Sequence, residues 1–427
     1  MKVHIIGGGF SGLTLAYYLN QRNIDVVLYE KDHWGGCIQT IEHRGALIEL
    51  AANGFLASKL FEDISRDINA GLQGVSGPKA RFIYANGKPR QWPMSLISSL
   101  PFISFVIKYL LFRKSLVPKK FETVSQWGRR CLSNTILSRL IEPALRGIYA
   151  GRVDQLSASL IFKKYFVAKS HLSKSSIKGL HTGDKGMEGW LKDLIKTLKL
   201  RGVEFRNEEV KDLNVLLPHI DFKTFFKSNE SQMNLFKDQN LILRKSSNSN
   251  SNEEIVVLAT PPHAASDLLK SISDYRAEVL EKIEMLPIAS ITLLTDKQNP
   301  LKGFGCLFPA EENYSSYGVL FRQNFFPEQD APSQERWIIP VNGESESELI
   351  KKVEIDRERI WGIDTPIIKA QHIKVWPQAL PHYTTELEAQ ISQLQGNNSK
   401  VYLHGNYLGA LGLTALLENS FNLAESL

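Results

Sequence analysis

A glycine-rich turn between a short apolar strand and a helix constrains the fold of this chain more than any other feature. Val3 to Ile6 read as the strand, Leu13 to Leu19 read as the helix, and the turn between them is Gly7-Gly8-Gly9-Phe10-Ser11-Gly12. Gly7, Gly9 and Gly12 have the G-x-G-x-x-G spacing in the strand–turn–helix context that makes the motif meaningful. Such a turn lets a pyrophosphate approach the backbone, and the helix N-terminus offers it free N–H groups. We therefore predict a dinucleotide-binding site.

An acidic residue follows the second predicted strand, which is Val26-Val27-Leu28-Tyr29. This residue, Glu30, lies 18 residues beyond Gly12, where an acid can accept hydrogen bonds from a ribose. An acid here favours a 2′-hydroxyl and repels a 2′-phosphate. The next glycine pair, in Trp34-Gly35-Gly36-Cys37, resembles the loop that runs along FAD in amine oxidase-type flavoproteins, although Cys37 replaces their usual Arg or Lys. FAD is therefore the predicted cofactor, in preference to NAD.

Length and composition bound the remaining possibilities. The chain has 427 residues, of which 43% are apolar and 22% charged, so we expect a folded protein of two or three domains. Only Met1 and Lys2 precede the first strand, and we expect no cleavable signal peptide. Three widely spaced cysteines fit a reducing compartment without a disulfide framework. The histidines show no H-x-x-H spacing and the cysteines no C-x-x-C spacing, so no metal site is expected.

Basic residues are concentrated in one part of the chain. From Lys108 to Lys185 there are sixteen Lys or Arg against four Asp or Glu, whereas the net charge of the whole chain is only +6. A basic segment in an otherwise acidic protein indicates an anionic partner, such as a membrane surface, a nucleic acid or a polycarboxylate ligand. The alternative is a solvated face without a partner. Nucleic acid is the least favoured partner, because the aromatic residues of this segment group with aliphatic ones instead of spacing along a basic groove.

An apolar stretch comes just before these cations. Residues 94–112 are rich in Phe and Leu, but Pro101 and Lys108 interrupt them, and the run is too short to span a bilayer. Apolar side chains at the lipid interface, with the cations on anionic headgroups, would explain both features together. We therefore predict monotopic membrane contact through residues 94–120; a buried pair of core helices is the alternative.

The order of strands and turns predicts an α/β fold. Asn86-Gly87 between two strand-like runs indicates a hairpin that begins a second sheet. The last strand, Val401-Tyr402-Leu403, leads through Gly405 and Gly409 into a final helix whose N-terminus would face the flavin ring. We predict a Rossmann-like FAD-binding domain with an inserted α+β substrate domain and a helical membrane-contact region. Their predicted bounds are residues 1–80, 186–261 and 396–427 for the FAD-binding domain, 81–93 and 262–395 for the substrate domain, and 94–185 for the helical, basic region.

Taken together, these stretches resemble the protoporphyrinogen oxidase family, FAD enzymes that complete the aromatic system of the porphyrin in heme synthesis. The similar segments follow one another along nearly the whole chain. The most specific of them are Glu142-Pro143 with Gly147-Ile148-Tyr149-Ala150-Gly151, then Gly303 to Pro309, and finally Gly405-Asn406-Tyr407. The amine oxidases and carotene desaturases that share the fold lack this combination.

The resemblance implies a set of site residues. It places Arg81 against a propionate of the porphyrinogen, Asn53 near the ring carboxylate and the flavin, and Leu307 and Leu320 as apolar walls around the macrocycle. Considered alone, Arg81 would be an edge-strand charge and the two leucines ordinary core. The cofactor-binding residues that the resemblance and the motifs imply are Gly7, Gly9, Phe10, Ser11, Gly12, Glu30, Lys31, Gly35, Gly36, Val210, Gly405, Asn406, Leu411, Gly412 and Leu413.

The resemblance also implies a reaction and a setting. Protoporphyrinogen IX would be oxidised to protoporphyrin IX in three two-electron rounds, with oxygen reoxidising FAD. The enzyme would be peripheral or monotopic on the cytoplasmic side of a bacterial inner membrane, or on a mitochondrial membrane, and not secreted. A homodimer and transfer of the product to ferrochelatase are further expectations.

Other readings stay open. A coproporphyrinogen III oxidase of the same fold would need extra cations in the pocket, and an amine or polyene oxidoreductase would need an aromatic cage or a long apolar tunnel. A flavin-containing porphyrin carrier without turnover is the non-enzyme alternative. It is suggested by departures from the family pattern at Cys37 and at Ala51-Ala52; His382 is a further departure.

Overall fold

The computed structural model describes residues 1–75, 80–92, 109–110, 113–166, 175–216, 218, 253–326, 333–394 and 400–427. The strands are β1 (Lys2–Ile6), β2 (Asp25–Glu30), β3 (Thr40–His43), β4 (Ala46–Glu49), β5 (Phe55–Leu56), β6 (Leu72–Gly74), β7 (Arg81–Ala85), β8 (Lys88–Trp92), β9 (Leu180–Gly183), β10 (Glu204–Asn207), β11 (Glu254–Leu258), β12 (Met285–Thr295), β13 (Gly305–Leu307), β14 (Gly318–Leu320), β15 (Ser333–Pro340), β16 (Ile368–Pro381) and β17 (Val401–Leu403).

The helices are α1 (Phe10–Asn20), α2 (Lys59–Asp67), α3 (Val124–Cys131), α4 (Asn134–Ile136), α5 (Glu142–Tyr149), α6 (Ala158–Phe162), α7 (Gly186–Leu200), α8 (Leu213–Leu216), α9 (Pro262–Ser271), α10 (Arg276–Glu281), α11 (Arg322–Phe325), α12 (Glu346–Trp361), α13 (Thr385–Leu394) and α14 (Leu413–Ser426). A π-helical turn, Leu137–Ile141, joins α4 to α5. Short 3₁₀ turns lie at Arg113–Leu116, Lys163–Tyr165, Ala310–Glu312, Gly362–Asp364 and Asn406–Leu408.

A parallel sheet in the order β10-β2-β1-β11-β17 forms the nucleotide-binding half. Its strands are rich in Val, Ile and Leu because helices cover both faces, and two apolar clusters pack against it. Ile6 at the end of β1 is aligned with Tyr29 and with Leu258, so the glycine turn, Glu30 and the loop after β11 meet at one edge. In open parallel sheets, ligands bind beyond this carboxyl edge.

A second, seven-stranded sheet has the strand order β16-β12-β15-β14-β13-β7-β8. One face is packed under α12 through buried residues such as Ile291, Val319 and Trp337. A capping box of Ser345 and Glu348 fixes the start of α12. The opposite face of this sheet, which we call the cleft face, includes Ser290 and Ile338, and it takes part in the site described below.

Several predictions of local structure are confirmed. β7 and β8 form the expected hairpin, with Ala85 paired to Lys88 and both Asn86 and Gly87 at positive φ, as a type I′ turn requires. The strand β17 returns to the nucleotide-binding sheet beside β11.

Two observations bear on the predicted domain bounds, which stay a prediction. Helices α9 and α10 fall in the segment predicted as substrate domain, yet Leu268, Leu269 and Leu280 pack in the core under the nucleotide-binding sheet. Apart from β7 and β8, the strands of the seven-stranded sheet all follow these helices, beginning with β12 at Met285. The strand β9 lies within the segment predicted to be helical. It pairs with β5 and with β6 in a small antiparallel sheet.

The apolar part of the predicted membrane segment, residues 94–108 and 111–112, lies outside the described residues. Within the part of the chain that the structure describes, no helix has both the length and the apolar character needed to cross a bilayer.

Candidate cofactor and substrate cleft

A cleft of about 940 Å³ runs along the carboxyl edge of the parallel sheet and continues to the cleft face of the seven-stranded sheet. This size suits an elongated organic ligand. Most of the predicted cofactor-binding residues line it, namely Gly7, Gly9, Phe10, Ser11, Glu30, Lys31, Gly35, Gly36, Val210, Gly405, Asn406, Leu411 and Leu413. The structure thus brings together residues from both ends of the chain.

Two of the motif glycines, Gly9 and Gly12, have different roles. A Cβ on Gly12 would lie 2.0 Å from the carbonyl oxygen of Gly7, so Gly12 is needed for packing and does not line the cleft. A Cβ on Gly9 would meet only the Cα of Gly36, at 3.9 Å, and would otherwise occupy the cleft. Gly9 is also the N-cap of α1 and provides no side-chain cap. The first N–H groups of α1 are therefore available to a phosphate.

Glu30 organises the glycine turn. One of its carboxylate oxygens accepts a hydrogen bond of 2.8 Å from the backbone N–H of Gly8, and the other accepts one of 2.9 Å from Asp32. Beside it, the ammonium of Lys31 lies 3.4 Å from the carboxylate of Glu209, next to Val210. These contacts place an acid and an ion pair at the end of the cleft where a ribose was predicted.

The second glycine pair packs directly on the first turn. Gly35 donates its N–H to the carbonyl of Gly8 at 2.8 Å, and a Cβ on Gly36 would come within 3.1 Å of the Cα of Gly9. Both Gly35 and Gly36 have positive φ. Cys37 follows them in the cleft lining, at the position of the family's Arg or Lys.

The N-terminus of α14 is a second uncapped helix end at the same cleft. Leu411 and Leu413 line the cleft, whereas Gly412 is the N-cap, has no side chain to satisfy the first N–H groups, and is not part of the lining. The positive end of the α14 dipole therefore faces the cleft, where negative charge would be stabilised. Nearby, Tyr383 donates a hydrogen bond of 2.6 Å to the carbonyl of Asn406 and holds this segment in place.

Arg336 is the main site residue that the sequence did not indicate. It lies on β15, is almost fully buried and lines the cleft. Its guanidinium donates hydrogen bonds to Ser290 Oγ at 2.7 Å, to Asn53 Oδ1 at 2.8 Å and to the carbonyl of Ala51 at 2.7 Å. Asn53 does not line the cleft itself, but it contacts a residue that does.

Two more buried charges lie behind Arg336. Glu49 is buried, accepts hydrogen bonds from the N–H of Met187 and the hydroxyl of Thr40, and lies 3.8 Å from the guanidinium of Arg322. Burial raises the pKa of Glu49, opposed mainly by the positive charge of Arg322. Burial lowers the pKa of Arg336 to about 10, so this guanidinium stays charged at neutral pH.

The predicted substrate residues lie on the same sheet face as Arg336. Arg81 is paired with Gly305, Gly305 with Leu320, and Leu320 with Arg336, in one row across β7, β13, β14 and β15. Directly paired residues project from the same face of a sheet. Leu307 is two residues from Gly305, and a Cβ on the cleft-lining Gly147 would come within 2.6 Å of its side chain. Arg81, Leu307 and Leu320 do not belong to the lining of the main cleft; they extend its surface.

Other lining residues on this side were also missed. The hydroxyl of Tyr317 donates a hydrogen bond of 3.3 Å to the carbonyl of Ala150. This bond joins the residue just before β14 to the residue just after α5. The indole N–H of Trp376 donates to the carbonyl of Leu50 at 3.0 Å. The alternation of buried and cleft-facing residues along β12, β15 and β16 is the one signal that could have indicated them.

His382, one of the departures from the family pattern, does not line the cleft, and its imidazole lies 2.7 Å from the carboxylate of Glu284. Ala51 and Ala52 do line it. Among the residues that the structure describes, no group of three His, Cys, Asp or Glu is placed to hold a metal ion.

The comparisons with known proteins agree with this geometry. Residues 5–69 match the model of the NAD(P)-binding Rossmann-like domain. The chain is 27% identical to chloroplastic protoporphyrinogen oxidase 1 of Spinacia oleracea, over 98% of this chain and 83% of the spinach protein. It is 31% identical to coproporphyrinogen III oxidase of Staphylococcus aureus, but over 42% of each chain.

Solved structures share the whole architecture. A protein of Exiguobacterium sp. 255-15, named as a candidate protoporphyrinogen oxidase, superposes with a TM-score of 0.73 at 20% identity, covering 100% of this chain and 98% of that one. An engineered putrescine oxidase gives a TM-score of 0.69 at 12% identity, over 99% and 98% of the two chains. The predicted resemblance is therefore confirmed: along nearly all of its length this chain is similar to proteins named protoporphyrinogen oxidase, and it has a fold that putrescine oxidase shares.

Proposed function

We propose that this protein is an FAD-dependent oxidoreductase that oxidises protoporphyrinogen IX to protoporphyrin IX in heme biosynthesis. The observation that carries the proposal is the continuity of the cleft. It begins at the glycine turn and Glu30 and ends at Arg336 and Trp376 on the second sheet. A dinucleotide bound at the first end can therefore present its ring to a substrate held at the second.

The residues of the first end fit FAD. The uncapped N-terminus of α1 and the open space at Gly9 suit a pyrophosphate, and Glu30 suits the adenosine ribose. The N-terminus of α14, with Leu411 and Leu413, would lie against the flavin. FAD held by these residues would supply the hydride acceptor for the reaction, with molecular oxygen as the final electron acceptor that the resemblance implies.

The residues of the second end fit a flat, oily ring that carries carboxylates. Leu307 and Leu320 are half-buried, and Ile338 and Trp376 add apolar surface. Arg81 is exposed at the far end of the row and is available to a propionate, for which a guanidinium is well suited. These residues bind and orient the ring, and the apolar walls exclude water from the reacting carbon.

Coproporphyrinogen III is the second candidate substrate. The observation in its favour is Arg336, a cation in the pocket besides Arg81, because coproporphyrinogen carries four carboxylates and protoporphyrinogen two. We rank protoporphyrinogen first because the relatives matched along the whole chain are named for it.

We further propose that the protein works at an anionic membrane surface. Two large apolar side chains near the described end of the predicted membrane segment are exposed, Leu110 by 74% and Tyr165 by 61%. They lie near each other, since Tyr109 donates a hydrogen bond of 3.1 Å to the carbonyl of Tyr165. Arg113 lies over the ring of Tyr109, and Lys164 over that of Tyr165. Exposed apolar side chains flanked by cations suit the interface of an anionic bilayer.

A cytoplasmic-side location, a homodimer and transfer of the product to ferrochelatase remain expectations from the resemblance. A membrane-bound enzyme would release its poorly soluble product where a membrane-bound acceptor could take it.

The test is turnover of both porphyrinogens by the purified protein with its bound cofactor, in air. Porphyrin fluorescence and hydrogen peroxide are followed together. We expect fast oxidation of protoporphyrinogen IX, slowed in Arg81→Ala and unchanged in Arg359→Ala, whose exposed side chain lies on the opposite side of the sheet. Preference for coproporphyrinogen III would move the assignment to the second candidate. A yellow protein that oxidises neither would contradict the proposal.

A further inference from the structure

Arg336 is a buried cation whose hydrogen-bond partners are all uncharged. The partners are the hydroxyl of Ser290, the amide oxygen of Asn53 and the carbonyl of Ala51. A guanidinium carries five N–H groups. Three of them are used among the residues that the structure describes, so two remain at a side chain that lines the cleft.

The charges behind Arg336 do not neutralise it. Glu49 is the acid that attracts Arg336, and Arg322 is the cation that repels it. Glu49 lies 3.8 Å from Arg322 and accepts no hydrogen bond from Arg336. Among the described residues no carboxylate accepts a hydrogen bond from Arg336, so its positive charge lies at the cleft without a directly bonded counter-charge. A buried charge without a partner is costly, so an anionic group in the cleft would be bound firmly.

The register places this cation at a defined distance from Arg81. The row from Arg81 to Arg336 crosses three strand spacings, which is about 14 Å between backbones. Between them lie Gly305, which has no side chain, and the apolar Leu320. The cleft face thus has an apolar floor with a guanidinium at each end, and its width is comparable to that of a tetrapyrrole.

We propose that Arg336 binds a carboxylate of the tetrapyrrole and thereby fixes the orientation of the ring in the cleft. The inference rests on the proposed function for the class of substrate. It assigns a specificity role to a residue that belongs to no recognised motif of the chain. Asn53 and Ser290 position the guanidinium, and Arg81 binds the second propionate, which protoporphyrinogen carries on the neighbouring pyrrole of the same edge.

The test measures binding instead of turnover. The purified holoprotein is titrated with protoporphyrin IX and, separately, with its dimethyl ester, which has the same ring but no free carboxylate; quenching of porphyrin fluorescence gives the two Kd values. We expect Arg336→Met to weaken binding of the free acid by roughly 10- to 100-fold, as loss of a charge-assisted hydrogen bond does. Binding of the dimethyl ester should change by less than about twofold, because the apolar floor is intact.

The matched control is Arg359→Met, which removes the same side chain from the opposite side of the sheet and should change neither Kd. Arg336→Lys keeps the charge and should retain a preference for the free acid, so the inference stays testable if Arg336→Met fails to fold.

Four results would overturn the inference. Free-acid binding that survives Arg336→Met would overturn it alone, as would equal weakening of both ligands. A shifted reduction potential of the flavin with unchanged acid binding would show that the cation serves the cofactor. Wild-type protein that binds neither porphyrin would overturn the proposed substrate class, and the inference with it.

Discussion

Arg336 on β15 donates a hydrogen bond of 2.8 Å to the side-chain oxygen of Asn53, which follows β4. With the 2.7 Å bond from Arg336 to the carbonyl of Ala51, this contact ties the seven-stranded sheet to the nucleotide-binding half. Behind it, Arg322 reaches the carbonyl of Asn53 at 3.3 Å. Buried polar contacts therefore hold this end of the cleft together, in addition to apolar packing. Removing them should lower both the free energy of unfolding and the affinity for a ligand in the cleft.

The ion pair of Glu49 and Arg322 should be strongly coupled. Glu49→Gln removes a buried carboxylate that lies 3.8 Å from the fully buried guanidinium of Arg322, and we expect it to lower the free energy of unfolding by about 3–5 kcal/mol. Replacing both residues, as Glu49→Gln with Arg322→Met, should recover part of that loss. Urea unfolding of the single and double variants gives the coupling energy, and additive losses would contradict the prediction.

Glu30 should contribute to FAD affinity through its charge. Glu30→Gln keeps the shape of the side chain but weakens the acceptor for Gly8 and for the ribose, so FAD should bind about tenfold more weakly. Titration of apoprotein with FAD, followed by flavin fluorescence, measures this. Glu204→Gln is the control, since Glu204 is in an exposed ion pair with Arg206 on the same sheet and does not line the cleft, and we expect less than about a twofold change. An equal effect of the two changes would argue against a role for Glu30.

Two alanine substitutions in the glycine turn should have opposite consequences. Gly12→Ala places a methyl group against the carbonyl of Gly7 and should destabilise the apoprotein by about 1–3 kcal/mol or more. Gly9→Ala has room for its methyl group and an ordinary φ of −75°, so the apoprotein should keep its stability. That methyl group occupies the cleft, however, and FAD binding should be weakened. Thermal unfolding and FAD titration of both variants test the pair; a destabilised Gly9→Ala apoprotein would show that the turn has less space than the structure indicates.

The exposed apolar side chains near the basic segment should contribute to membrane binding. Leu110→Ser combined with Tyr165→Ser should lower the partition constant onto anionic vesicles of phosphatidylglycerol and phosphatidylcholine by roughly tenfold or more. Vesicle flotation or sedimentation measures it. Ile363→Ser is the control, because Ile363 is fully exposed on the turn that follows α12. Equal losses in the control and in the double variant would show that apolar exposure alone, and not this surface, governs binding.

Local stereochemistry explains what could be predicted from the sequence. The glycine turn, the strand that ends at Glu30 and the Asn86-Gly87 hairpin depend on residues close together in the chain, and the structure has each of these local elements where it was predicted. Arg336 could not be found in this way, because its place beside Asn53 follows from the register of four strands that are far apart in sequence. The roles given to Asn53, Arg81, Leu307 and Leu320 came from the resemblance. The structure puts Arg81, Leu307 and Leu320 on the cleft face and Asn53 against Arg336, and their roles stay predictions.

A buried histidine should make stability depend on pH. His404 lies at the end of β17, and its imidazole is 2.8 Å from the hydroxyl of Ser420, which in turn is 2.8 Å from the hydroxyl of Thr14. Burial lowers the pKa of His404 to about 4, whereas in the unfolded chain it would be near 6.5. Between these two values the unfolded chain binds a proton that the native protein does not, so stability falls as the pH is lowered from about 6.5 towards 4.

The loss from this one residue should amount to about 2 kcal/mol by pH 5 and about 3 kcal/mol by pH 4. His404→Gln removes the titrating group, so the variant should lose less stability than the wild type over the same range. Urea unfolding at pH 7, 6 and 5 gives the loss of stability in each protein, and the difference between the two losses is the contribution of His404. Other groups contribute equally to both proteins and cancel; Glu49 is one of them, and its raised pKa acts in the opposite direction. If the two proteins lose stability in parallel, His404 is not the group responsible.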